Sequence, residues 1–79
     1  MDAPNPNTLI VAQLIQRLEA EPFVPFTIVM SNGKRFDVPH PDYVSITRKL
    51  RRIEWESDEP RIADINPLHI VTLERKSAA

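Results

Sequence analysis

The sequence predicts an α+β domain in which one N-terminal helix is followed by a strongly bent antiparallel meander of five or six strands. Apolar residues of the first quarter recur at helical spacing, and those beyond Phe26 recur at every second position. Turn-forming Pro, Asn, Asp and Gly then divide the remainder into short segments. The 79 residues suffice for a single domain over 1–79, with 1–7 and 76–79 expected as flexible tails.

The helix follows a Pro/Asn-rich lead, where Asn7 or Thr8 can cap the first turn by accepting hydrogen bonds from its free N–H groups. Val11, Leu14, Ile15 and Leu18 form one apolar stripe, and Pro22 disfavours helical geometry at Glu21. A helix this short is marginal alone, so Leu14 and Leu18 are expected to dock on the sheet. The first strand sets Phe26, Ile28 and Met30 against Thr27, Val29 and Ser31, and Asn32-Gly33 suits a two-residue hairpin turn. Phe36 and Val38 share one face of the returning strand. Pro39-His40-Pro41 then makes a corner, since neither proline can donate to a ladder. Tyr43–Thr47, a strand around Ile53 and Trp55, Arg61–Ile65 and Ile70–Glu74 complete the meander, with Asn66-Pro67-Leu68 as a short turn before the last.

Composition narrows the function classes. Ten Lys plus Arg against eleven Asp plus Glu give a net charge of -1, which supplies no global pull toward nucleic acid or anionic lipid. Without cysteine there is no disulfide, zinc–thiolate site or thiol nucleophile. An acidic N-terminus without an apolar core lacks the pattern of a signal peptide, and Leu9–Ala12 is far shorter than the ~20 residues of a membrane span. The expectation is a cytoplasmic protein with no membrane contact. Its single glycine cannot build a phosphate-cradling loop.

Pro22-Phe23-Val24-Pro25-Phe26, Asn32-Gly33-Lys34-Arg35-Phe36, Val38-Pro39-His40-Pro41-Asp42 and Leu68-His69-Ile70 together resemble a group of small uncharacterised bacterial single-domain proteins. That resemblance implies architecture and no activity. Ile28–Lys34 and Leu68–Val71 are also similar to the first and closing strands of the Sm-like family, which implies a small SH3-like barrel, ring assembly and RNA binding. The chain departs from that pattern at its Pro-rich corner, in the longer stretch between Tyr43 and Ile65, and in lacking a lysine–histidine pair before the last strand.

Three functional hypotheses follow. The favoured one is a non-enzymatic interaction module that binds itself or a protein partner through a strand edge, with Phe23, Ile70 and Thr72 as contacts. The final strand carries no charge until Glu74 and no proline, which suits an edge left open for docking. The alternative is an Sm-like RNA- or DNA-binding module whose basic hairpin tip, Arg48, Lys49, Arg51 and Arg52, acts with Tyr43. Glu54, Glu56, Asp58 and Glu59 follow at once and would offset much of that field. The third is a metal-dependent hydrolase built from His40, Asp42, Asp64 and His69, but these lack the local spacing of a catalytic zinc site. His40 is expected to cap the corner and His69 to bond backbone near the last strand. Ser45 has no nucleophile elbow, so neither a catalytic residue nor a cofactor is assigned. Trp55, Phe26 and Phe36 are assigned to the core.

Overall fold

The structure, a computed structural model, describes residues 6–47, 52–59 and 61–76. Helix α1 spans Pro6–Glu19 and precedes strands β1 (Phe26–Met30) and β2 (Arg35–Val38). A 3₁₀ turn, η1 (Pro41–Tyr43), leads to β3 (Val44–Thr47), β4 (Arg52–Glu56) and β5 (Ile62–Ile65). A second, η2 (Pro67–His69), leads to β6 (Ile70–Arg75). The six strands form two antiparallel three-stranded sheets, β2-β1-β6 and β3-β4-β5, and not one continuous ribbon. The division falls at the Pro39–Pro41 corner, which forbids ladder donation at two positions between β2 and β3.

The helix starts at Pro6, one or two residues earlier than the cap expected at Asn7 or Thr8. Proline suits a first turn because its missing N–H would have no partner there. The helix ends at Glu19, and the Glu21–Pro22 peptide bond beyond it is cis. Leu14 is wholly buried, while Ile10, Val11 and Leu18 pack half-buried against the core. Helix α1 contacts η2 and, through Ile15, Leu18 and Glu19, shares a shallow depression with Ile46 of β3. It thus touches the lead-in to one sheet and borders a depression shared with a strand of the other. Of the expected tails, 1–5 and 77–79 lie outside the described residues. Pro6 and Asn7 are helical, and the Lys76 N–H donates to the Pro25 carbonyl at 3.1 Å.

The β1–β2 hairpin has one more loop residue than the expected two-residue turn. Gly33 N–H donates to Met30 O at 3.0 Å, and Met30 N–H to Lys34 O at 2.9 Å, so the loop is Ser31-Asn32-Gly33. Gly33 sits at φ 88°, where a side chain would be strained, and Asn32 Oδ1 accepts from Lys34 N–H at 2.9 Å. These residues specify a turn followed by a bulged glycine.

The core joins both sheets: Phe26, Ile28, Val38 and Leu73 from one, Val44, Ile53, Trp55 and Ile65 from the other, with Leu14 from the helix. Trp55 links the layers. Its ring lies 5.1 Å from Phe36 and its Nε1–H donates to the Asp37 carbonyl of β2 at 2.9 Å. Satisfying the indole donor is what permits so large an aromatic to be buried.

Two places break the period-2 pattern. Thr27, expected on the outward face of β1, is 5% exposed, and its hydroxyl donates to Asp37 Oδ1 at 2.8 Å. In β6, Thr72 pairs with Val29 and Ile70 with Met30, so Val71 is an extra residue in the ladder and stands 62% exposed.

Among the described residues, no helix is long and apolar enough to cross a membrane.

Candidate functional site

The expected basic tip is described only at Arg52; Arg48, Lys49 and Arg51 lie outside the described residues. Arg52 opens β4 opposite Thr47, and its guanidinium is 3.6 Å from Asp64 Oδ2 across the sheet. Both side chains are more than half exposed, so this pair contributes little. Tyr43 is not beside it. Val44 pairs with Trp55 while Thr47 pairs with Arg52, which puts Tyr43 at the opposite end of the hairpin, about 13 Å along the strand.

Tyr43 instead belongs to an acidic cleft at the corner. His40, Asp42, Tyr43, Glu56, Ser57 and Asp58 line a space of about 220 Å³. The phenol donates to Asp58 Oδ2 at 2.8 Å, and the Asp58 N–H donates back to the phenol oxygen at 3.4 Å. Because the Asp58 carboxylate accepts a hydrogen bond from the phenol O–H, the neutral phenol is favoured and the Tyr43 pKa is raised above its ordinary value. The Tyr43 ring also lies 6.2 Å from the rings of His40 and Trp55, edge-on to the latter.

The four residues weighed as a metal or acid/base cluster are dispersed. His40 and Asp42 line this cleft, Asp64 pairs with Arg52 on β5, and His69 ends η2. No three His, Asp or Glu side chains among the described residues converge as a metal site. The corner does not use the His40 imidazole as a cap; its backbone carbonyl accepts from Tyr43 N–H at 3.1 Å. His69 likewise acts through its backbone, accepting from Ser31 N–H at 2.7 Å and donating to Asn66 O at 2.9 Å. Asn66 supplies the cap at that turn, its Oδ1 accepting from Leu68 N–H at 3.0 Å.

Of the expected protein contacts, Phe23 is half-buried with its ring 6.1 Å from that of Phe26. Ile70 and Thr72 are half-buried on β6 and flank the exposed Val71.

Sequence reasoning missed a second cleft. Lys34, Arg35, Phe36, Trp55, Arg61, Ile62 and Ala63 line about 350 Å³ between β2 and β5. Three cations and no carboxylate border it. Arg35 is occupied, its Nη2 lying 2.6 Å from Glu74 Oε1, while Lys34 and Arg61 have no carboxylate within ion-pair distance among the described residues. Ile62 is 71% exposed beside them. The signal was a cation directly flanking each of two hairpin turns, but nothing in the chain order says that these turns meet.

Comparisons with profiles of known families, with curated proteins and with solved structures returned no match, so the site rests on the geometry of this chain.

Proposed function

We propose that this chain is a non-enzymatic interaction module that associates with itself or with a protein partner through the edge of β6. The carrying observation is that β6 is an outer strand of its sheet, uncharged from Ile70 to Leu73, with Val71 62% exposed. An outer strand presents unpaired N–H and C=O groups, and the irregularity at Val71 leaves that side chain exposed on this edge. The Lys76–Pro25 bond brings the segment carrying Phe23 beside the Arg75 end of that strand, the end opposite Ile70.

The architecture we infer for this module is a small bent barrel of the SH3/Sm-like kind. Taking β2 and β3 as one strand folded at the corner gives the order β6-β1-β2/β3-β4-β5, with Trp55 packed between the layers.

Light scattering coupled to size exclusion tests the function directly. The expected result is a dimer or larger assembly, or a monomer that retains a specific partner, with Val71→Lys abolishing the association. Because Val71 is exposed, that substitution should change unfolding free energy by no more than about 0.5 kcal/mol. A strictly monomeric chain that holds no partner overturns the reading.

A further inference from the structure

We infer that the cleft between β2 and β5 is a docking site for an extended acidic and apolar peptide, which adds as a strand along β5 and places carboxylates against Lys34 and Arg61. This deepens the interaction-module reading and rests on it, but assigns a different edge and the chemistry of the partner.

The backbone supplies the first argument. β2 and β5 are each an outer strand of their respective sheets. Ser57 N–H donates to Arg61 O at 3.0 Å across the β4–β5 turn, and Trp55 pairs with Ala63. Antiparallel alternation then turns the N–H and C=O of Ile62 away from β4, toward the free side of β5. On β2, the Asp37 carbonyl is already taken by the Trp55 indole. One outward group of β2 is thus committed to the fold, which favours β5 as the receiving edge.

Charge and apolar surface supply the second. Lys34 and Arg61 border the cleft, and none of its lining residues is acidic. Ile62, exposed by 71%, and the half-buried Phe36 provide apolar contact between the cations. A strand whose side chains alternate between acidic and apolar matches this border, because successive side chains project to opposite faces. About 350 Å³ is near the lower end of the ~300–1,000 Å³ range for ligand clefts, enough for a few side chains and too small for a domain face.

A polypeptide fits better than a nucleic acid. Base stacking needs an open aromatic face, whereas Trp55 is 6% exposed and its ring packs against Phe36. An unpaired strand edge is matched by another extended polypeptide backbone.

The probe is a fluorescein-labelled Glu-Leu-Glu-Leu-Glu-Leu peptide, followed by anisotropy against the full chain. Expected results are saturable binding that weakens as salt rises, at least a tenfold loss in Lys34→Glu/Arg61→Glu, and no loss in Val71→Lys. Both substituted cations lie on the surface, and NMR shifts of the Ile62 and Asp64 amides on titration provide a readout in the unaltered chain. The proposal is overturned by no binding, binding indifferent to the double substitution, equal binding of a Lys-Leu repeat, or preference for a labelled oligothymidylate. Self-association that occludes the cleft and excludes the peptide also overturns it, naming a second copy as the occupant. A chain that assembles through β6 but ignores the peptide overturns this site and leaves the interaction module standing. A monomer that captures the peptide supports this site while removing assembly through β6.

Discussion

The sheets β2-β1-β6 and β3-β4-β5 have the same number of strands and the same antiparallel sense, yet they bury their outer faces differently. In the second, β4 alternates cleanly: Ile53 and Trp55 are buried while Arg52, Glu54 and Glu56 stand in solvent. In the first, the central strand β1 has four of its five residues buried, including Thr27. Long side chains of its neighbours account for the difference. Arg35 of β2 reaches Glu74 of β6 across β1, and Asp37 receives the Thr27 hydroxyl with the Lys76 ammonium 3.9 Å away. A polar position at the centre of a sheet is thus buried when flanking strands carry opposite charges long enough to meet over it.

The largest test of this contrast removes what joins the two sheets. Trp55→Ala should cost about 3–5 kcal/mol in urea unfolding, through the cavity left beside Phe36 and the loss of the bond to Asp37. A cost below about 1 kcal/mol would mean that the sheets do not depend on that side chain. The next test separates their outer faces. Asp37→Ala leaves the buried Thr27 hydroxyl unpaired and should cost about 1–3 kcal/mol, whereas Glu54→Ala on the open face should remain within about 0.5 kcal/mol of the parent. Equal values for the pair would erase the distinction.

The smallest effect is spectroscopic. The chain has one tyrosine, so tyrosinate absorbance reports Tyr43 alone. Its titration should fall above the ordinary value near pH 10, and Asp58→Asn should move it back. A folded pKa raised above the unfolded one favours folding below about pH 10, and that contribution disappears as pH climbs through the folded value. A midpoint unchanged in Asp58→Asn would show that the carboxylate is not responsible.

The sequence was most legible where one local rule decides the outcome. The helical stripe, the Asn32-Gly33 turn, the proline corner and the alternation around Trp55 depend on short stretches of chain, and each appears close to its expected place. The bulge at Val71 was not legible, because it comes from the register of β6 against β1, strands distant in sequence. Thr27 was misassigned for a related reason, since its cover comes from Arg35, Asp37 and Glu74 on two other strands. The second cleft shows the same limit. Lys34 and Arg61 become neighbours through the meeting of two hairpins. Tyr43 and Arg52, close in chain order, are held apart by the length of β3.

The pairing of β1 with β6 also sets an order of assembly. Strands β3, β4 and β5 follow one another, so their sheet closes through short links and pays little chain entropy. The other sheet needs Ile70 to return to Met30, and closing the longer link costs about 2 kcal/mol more at equal flexibility. The residues of β6 therefore complete the layer begun by the first strand. Until they arrive, β1 has the partner only of its own hairpin.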